Sequence, residues 1–159
     1  MKRVTGARRL GVAAAVLVIA GGVALLSAGA LASGPDGVSD RSGADVLGPG
    51  PVTVKIHIRD SHFSVAQLRV HPHTTVQFVI VNHDPIGHEF IIGDASVHAR
   101  HANGHEASHP PVPGEVSIPP LETGVTTFEL HDPGRVEFAC HLPGHLQYGM
   151  IGWVVVVDA

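Results

Sequence analysis

Val52, Val54, Ile56 and Ile58 alternate with Thr53, Lys55, His57 and Arg59. A period of two sends successive side chains to opposite faces, so this stretch predicts a half-buried strand over 52–59. Val76, Phe78 and Ile80 repeat the pattern inside 74–82, and Thr126, Phe128 and Leu130 follow it less strictly. Further β-rich stretches lie at 64–70, 89–92, 115–118, 135–139 and 151–157. Proline and glycine fall between them, as at His71-Pro72, Asp84-Pro85, Pro119-Pro120 and Asp132-Pro133-Gly134. No long stretch after residue 33 keeps a 3.6-residue period. Short strands separated by turn residues predict an all-β sandwich or barrel.

A different pattern opens the chain. Lys2, Arg3, Arg8 and Arg9 precede an uncharged, apolar run over 10–32. Basic residues ahead of an apolar stretch mark an export signal, and this run is also long enough to span a bilayer as a helix. Ala30-Leu31-Ala32 offers the small residues a signal peptidase reads. A cleaved signal and an uncleaved membrane tether through 10–32 both fit, and either carries the rest of the chain out of the cytoplasm. Residues 33–51 are rich in Gly, Pro, Ser and Asp and predict a flexible linker. The organisation expected is 1–32 signal or anchor, 33–51 linker and 52–159 folded domain.

Charge narrows the function. Ten Lys+Arg stand against 14 Asp+Glu, and four of the ten lie in the first 32 residues. So acidic a domain lacks the cations that would neutralise phosphates, which excludes a nucleic-acid partner. One cysteine excludes an internal disulfide. Histidine is in marked excess, with 13 copies. That excess points to metals.

The candidate chemistry sits near the C-terminus, where Cys140, His145 and Met150 follow one another at intervals of five. Thiolate, imidazole and thioether are soft or borderline donors that suit copper better than magnesium, calcium or manganese. Pro143-Gly144 supplies a sharp turn that folds His145 back toward Cys140. A trigonal site with two histidines, one cysteine and a weak axial methionine needs a further imidazole. His88, led in by Pro85-Ile86-Gly87, is the candidate, with His83 and His73 as alternatives.

In that order His88, Cys140, His145 and Met150 resemble the ligands of the cupredoxins, the type 1 blue copper proteins such as plastocyanin and azurin. The loop spacing looks most like that of rusticyanin and sulfocyanin, and the resemblance spans roughly 52–159. It implies a Greek-key β-sandwich, one type 1 copper ion, and one-electron transfer between a donor and an acceptor redox protein by a monomer that is no enzyme. A copper protein for storage, delivery or resistance is the alternative reading. In many relatives an Asn or Ser follows the first ligand, whereas this chain has Glu89. The backbone N–H of residue 89 remains available to the Cys140 sulfur.

Other residues read as less specific. Strand alternation should turn His141 away from the metal, and Tyr148 and Trp153 are expected to pack. His57, His62, His71 and His131 read as surface or turn residues. His98, His101, His105 and His109 recur at intervals of three and four, which on a helix puts them on one face. An accessory metal site and a solvated insert between strands both fit, and the insert is the reading preferred.

Overall fold

Alternation of burial in the structure follows the alternation in the sequence. In the computed structural model, Val54, Ile56 and Ile58 are buried and Thr53, Lys55 and His57 between them are only partly covered. Residues 38–39, 45–104 and 110–158 are described. The described strands are β1 (Val38–Ser39), β2 (Val46–Leu47), β3 (Gly50–Arg59), β4 (His62–Phe63), β5 (Gln67–Val70), β6 (Thr74–Asn82) and β7 (His88–Gly93). After helix α1 (Ala95–Ala102) come β8 (Glu115–Ile118), β9 (Thr123–Leu130), β10 (Gly134–Ala139) and β11 (Ile151–Val156).

One sheet runs β1-β3-β6-β9, with β4 paired to the end of β3, and the other runs β2-β5-β11-β10-β7-β8. β3 and β6 pair in parallel over their whole length, from Gly50↔Thr74 to Ile58↔Asn82. In the second sheet the antiparallel β10–β11 ladder places Phe138 opposite Gly152 and Ala139 opposite Ile151. Buried residues of both sheets, among them Ile56, Phe78, Ile80, Phe90, Phe138 and Val154, form one core. Phe90 stacks on Phe138 at 5.2 Å, and Phe63 meets both rings edge-on. Burying such rings is the main favourable contribution that holds two sheets together.

The predicted strands are therefore present, with bounds shifted by a few residues. Two features depart from expectation. Val38–Ser39, Val46–Leu47 and Gly50–Pro51, inside the stretch read as a linker, lie in strands. Glycine and proline hid them, because a two-residue edge strand needs little apolar pattern. Helix α1 is the second departure, and it arises where an insert with no long helix was expected. Asp94 caps it by accepting from the N–H groups of Ser96 and Val97. The apolar run 10–32 lies outside the described residues, as do His105 and His109. Among the described residues no helix is long and apolar enough to cross a membrane.

Candidate metal centre

Two connections at one end of the sandwich carry the candidate ligands. The first joins β6 to β7. Asn82, the last residue of β6, donates its amide to the carbonyls of Ile86 and Pro119 at 2.8 and 2.9 Å. Its side-chain oxygen accepts from the Asp84 N–H at 2.9 Å. One buried side chain thus fixes the turn, and the chain re-enters the sheet at His88, which is 1% exposed. Asp84 adds a second constraint. Its two oxygens accept from the N–H groups of Asp60 and Ser61, each at 2.8 Å. Its Oδ2 also accepts from His88 Nε2 at 2.9 Å.

The second connection joins β10 to β11. Cys140 N–H donates to Met150 O and Met150 N–H donates to His145 O, both at 3.1 Å. These bonds draw the two ends of the loop and its middle together. Gly144 and Gly149 sit at φ +87° and +95°, a left-handed backbone that glycine adopts without a Cβ clash. Cys140 and Met150 are fully buried at the base of the loop, and His145 is partly exposed.

The two connections bring the donors together. Cys140 Sγ lies 3.3 Å from His145 Nδ1, which lies 3.2 Å from His88 Nδ1. Among the described residues His88, Cys140 and His145 are the group whose donor atoms all fall within 4.8 Å of one another. The N–H of Glu89 reaches the Cys140 sulfur at 3.4 Å, as its backbone allows whatever the side chain. With Nε2 bonded to a carboxylate, the neutral His88 ring keeps its proton there and turns the Nδ1 lone pair toward the other donors.

The electrostatics match a cation site. Burial pushes the Cys140 thiol up to about 11, more than the N–H groups of Glu89 and Leu142 offset. Without a cation it stays protonated, and a metal must displace that proton. Burial also holds His88 below the ordinary histidine range, outweighing the opposing pull of Asp84, so the ring is neutral. Burial works to raise the Asp84 carboxyl, but the N–H donors of Ser61 and Asp60 together with His88 bring it below the usual range. Two imidazoles and one thiol, with His145 Nδ1 3.2–3.3 Å from each of the other two donor atoms, fit a trigonal first-row ion with bonds of about 2.0–2.3 Å. The donor set suits copper.

The alternatives to His88 are elsewhere. His83 stacks on His57, with Nε2 at 2.9 Å from His57 Nδ1. His73 lies against His131 at the beginning of β6, the far end of that strand. His141 does turn away from the centre and bonds His98 instead. Tyr148 does not pack: it is 73% exposed. Trp153 lies under the Arg135 guanidinium at 4.3 Å. Histidines 98 and 101 are less solvated than an insert implies. His98 is buried, and His101 meets Glu115 at 2.8 Å. Asp84 was not singled out from sequence. Its only signal was a place four residues before His88, which the Asp-Pro pair masked as a turn.

Comparison with known proteins agrees with this geometry. A family model described as copper binding proteins of the plastocyanin/azurin family matches residues 51–157. The copper-resistant cuproprotein CopI of Rubrivivax gelatinosus is 33% identical over 108 residues, covering 65% of this chain and 66% of that protein. The protein of that name from Pseudomonas aeruginosa is 27% identical over 137 residues, covering 65% of this chain and 75% of its own. The chain thus spans just under two thirds of the first relative's length. Among solved structures, auracyanin A, a "blue" copper protein of Chloroflexus aurantiacus, superposes with a TM-score of 0.54 at 27% identity. It covers 67% of this chain and 99% of that one. Auracyanin B gives 0.55 at 24% identity, covering 74% and 97%, which shows the shared fold.

Proposed function

Because the chain belongs to the plastocyanin/azurin family of copper-binding proteins, we propose that it holds one copper ion through His88, Cys140, His145 and Met150 and serves as an exported one-electron carrier. Bound copper supplies a one-electron couple, and the protein supplies everything that makes the couple fast and directional. The observation that carries this reading is the fixed, closed ligand pocket. His88 is held by Asp84, and the Cys140 sulfur by the Glu89 N–H. Cys140 and Met150 are cross-linked through their own backbones. Ligands tied this firmly from behind move little when the charge at their centre changes, which keeps the rearrangement barrier to electron transfer low.

His145 is the exit. It is the least buried of the four candidate ligands, and Leu142, Pro143 and Leu146 surround it on the loop. Ile86, 46% exposed, lies on the neighbouring connection. An apolar rim lets two proteins approach closely without stripping water from charges. Leu146→Lys should slow electron self-exchange between oxidised and reduced copies while leaving the visible copper band unchanged. Equal exchange rates in the two proteins would remove His145 as the exit.

A second reading rests on the relatives named copper-resistant cuproproteins. In that reading the same centre serves copper tolerance. The two are separated in the host: loss of copper tolerance on deletion, restored by the wild-type chain but not by Cys140→Ala, favours resistance. Unchanged tolerance favours the carrier. The basic-then-apolar segment 1–32 supports export in both cases.

A further inference from the structure

Among the described residues, three pairs of imidazoles outside the candidate copper centre have ring centroids within 6 Å. His73 and His131 touch only through their rings, 5.9 Å apart. His57 and His83 approach within 2.9 Å, but the Arg59 guanidinium sits 3.2 Å from the same His83 nitrogen. A fixed cation there opposes a second one. The third pair, His98 on α1 and His141 in the β10–β11 connection, has neither defect. His98 Nδ1 and His141 Nε2 are 2.8 Å apart.

From this juxtaposition we propose that His98 Nδ1 and His141 Nε2 form a two-nitrogen second metal site for a divalent borderline cation such as Cu(II), with the Glu137 carboxylate beside it as a countercharge. Bonds of about 2.0–2.1 Å from two nitrogens to one ion, at tetrahedral or square angles, separate the nitrogens by about 2.8–3.4 Å. The observed pair is within a few tenths of an ångström of that spacing. The orientation is set as well. His98 Nε2 donates to the backbone carbonyl of Glu137 at 3.2 Å. With Nε2 as donor, the Nδ1 lone pair faces His141 and accepts the His141 Nε2 proton, so a cation binds the pair by displacing that proton. Glu137 Oε1 is 3.7 Å from the same Nδ1 and places a carboxylate beside the pair.

The surroundings supply access and a reserve ligand. A pocket of about 500 Å³ opens between the end of α1 and the copper loop, lined by His101, His141, Glu89, Leu142 and Leu146 among others. The His101 ring lies 6.1 Å from that of His141, and its Nε2 is held by Glu115, which Arg100 also contacts. Since His141 follows Cys140 in the chain, an ion here sits one peptide from the candidate redox centre. A cation taken up there meets the chain at its entry to the copper loop.

The site does not depend on the type 1 reading, and its test keeps the two apart. Full-length protein already loaded with one equivalent of Cu(II) is titrated with more Cu(II) and followed by electron paramagnetic resonance. A second equivalent should bind with a nitrogen-coupled signal distinct from the first. His98→Gln should weaken it by about tenfold or more, as should Glu137→Gln to a smaller degree, with the first signal and the visible band unchanged. No second equivalent, or one that binds equally well to His98→Gln and is lost on replacing His105 and His109, overturns the proposal. Failure of the visible band to form at all counts against the type 1 reading and leaves the second titration readable.

Discussion

Asp84 Oδ2 and His88 Nε2 are hydrogen-bonded at 2.9 Å, with the carboxylate clamped on its other side by two backbone N–H groups of the turn after β3. Asp60 and Ser61, which donate them, both have φ near +50° (51° and 56°), so their amides converge on one point. The contact between a candidate ligand and its anchor is thus built from two different sheet connections. A turn of one strand pair fixes the imidazole leading into another.

Asp84→Asn keeps the shape and removes the charge. The amide oxygen still accepts one hydrogen bond, but the His88 ring loses an anionic partner that makes it a better donor. Copper affinity should fall by about 10–100-fold, the usual consequence of removing such an anchor. Competition against a chelator of known affinity measures it, and an unchanged affinity would mean that the turn alone orients His88.

Met150→Leu tests the axial position. The two side chains have similar volume, so stability should change by less than about 1.5 kcal/mol. A thioether stabilises the higher charge of Cu(II) more than a hydrocarbon does, so its removal should raise the reduction potential while the visible band persists. A potential that stays put in a redox titration would place Met150 in the core rather than at the metal.

Strand positions were legible because each buried face left a period of two, clearest at Val52–Ile58 and Val76–Ile80. The candidate loop ligands were legible because Cys140, His145 and Met150 sit close in sequence. His88 was harder, being 52 residues before Cys140, and only its place behind Pro85-Ile86-Gly87, together with the family resemblance, favoured it over His83 and His73. Asp84 and the His98–His141 pair were not legible as contacts. They depend on which strands become neighbours, β3 beside β6 and β7 beside β10, and no local pattern encodes that. Helix α1 escaped because its eight residues carry little apolar stripe: His98 is its one buried residue.

Gly152 owes its place to Phe138 across the ladder. A Cβ added there would lie 2.1 Å from Phe138 Cζ and 2.9 Å from the carbonyl of Ala66. Phe138 stacks on Phe90 in the core and has no empty side to move into. Gly152→Ala should therefore destabilise the fold by about 1–3 kcal/mol, typical of overpacking. Urea denaturation of the copper-free protein reads this directly. A stability equal to wild type would show that the aromatic cluster yields where the packing says it cannot.

His141 predicts how the copper-free protein responds to acid. Its folded value of about 4 lies below the ordinary 6.5, so the folded ring resists a proton that the unfolded chain accepts. Between those two values the unfolded state binds more protons, and stability rises with pH across that window. Going down, the contribution is intact above about 6.5, shrinks through about 5, and is fully lost below about 4. His88 is shifted the same way and adds to the slope, so the wild-type curve alone does not isolate His141. The difference between wild type and His141→Gln does, because the glutamine cannot take the proton. In denaturation at about pH 4, 5, 6 and 7, the stability of wild type relative to His141→Gln should rise with pH across that window. Parallel curves would mean that His141 is hydrated well enough in the fold to titrate as it does in the open chain.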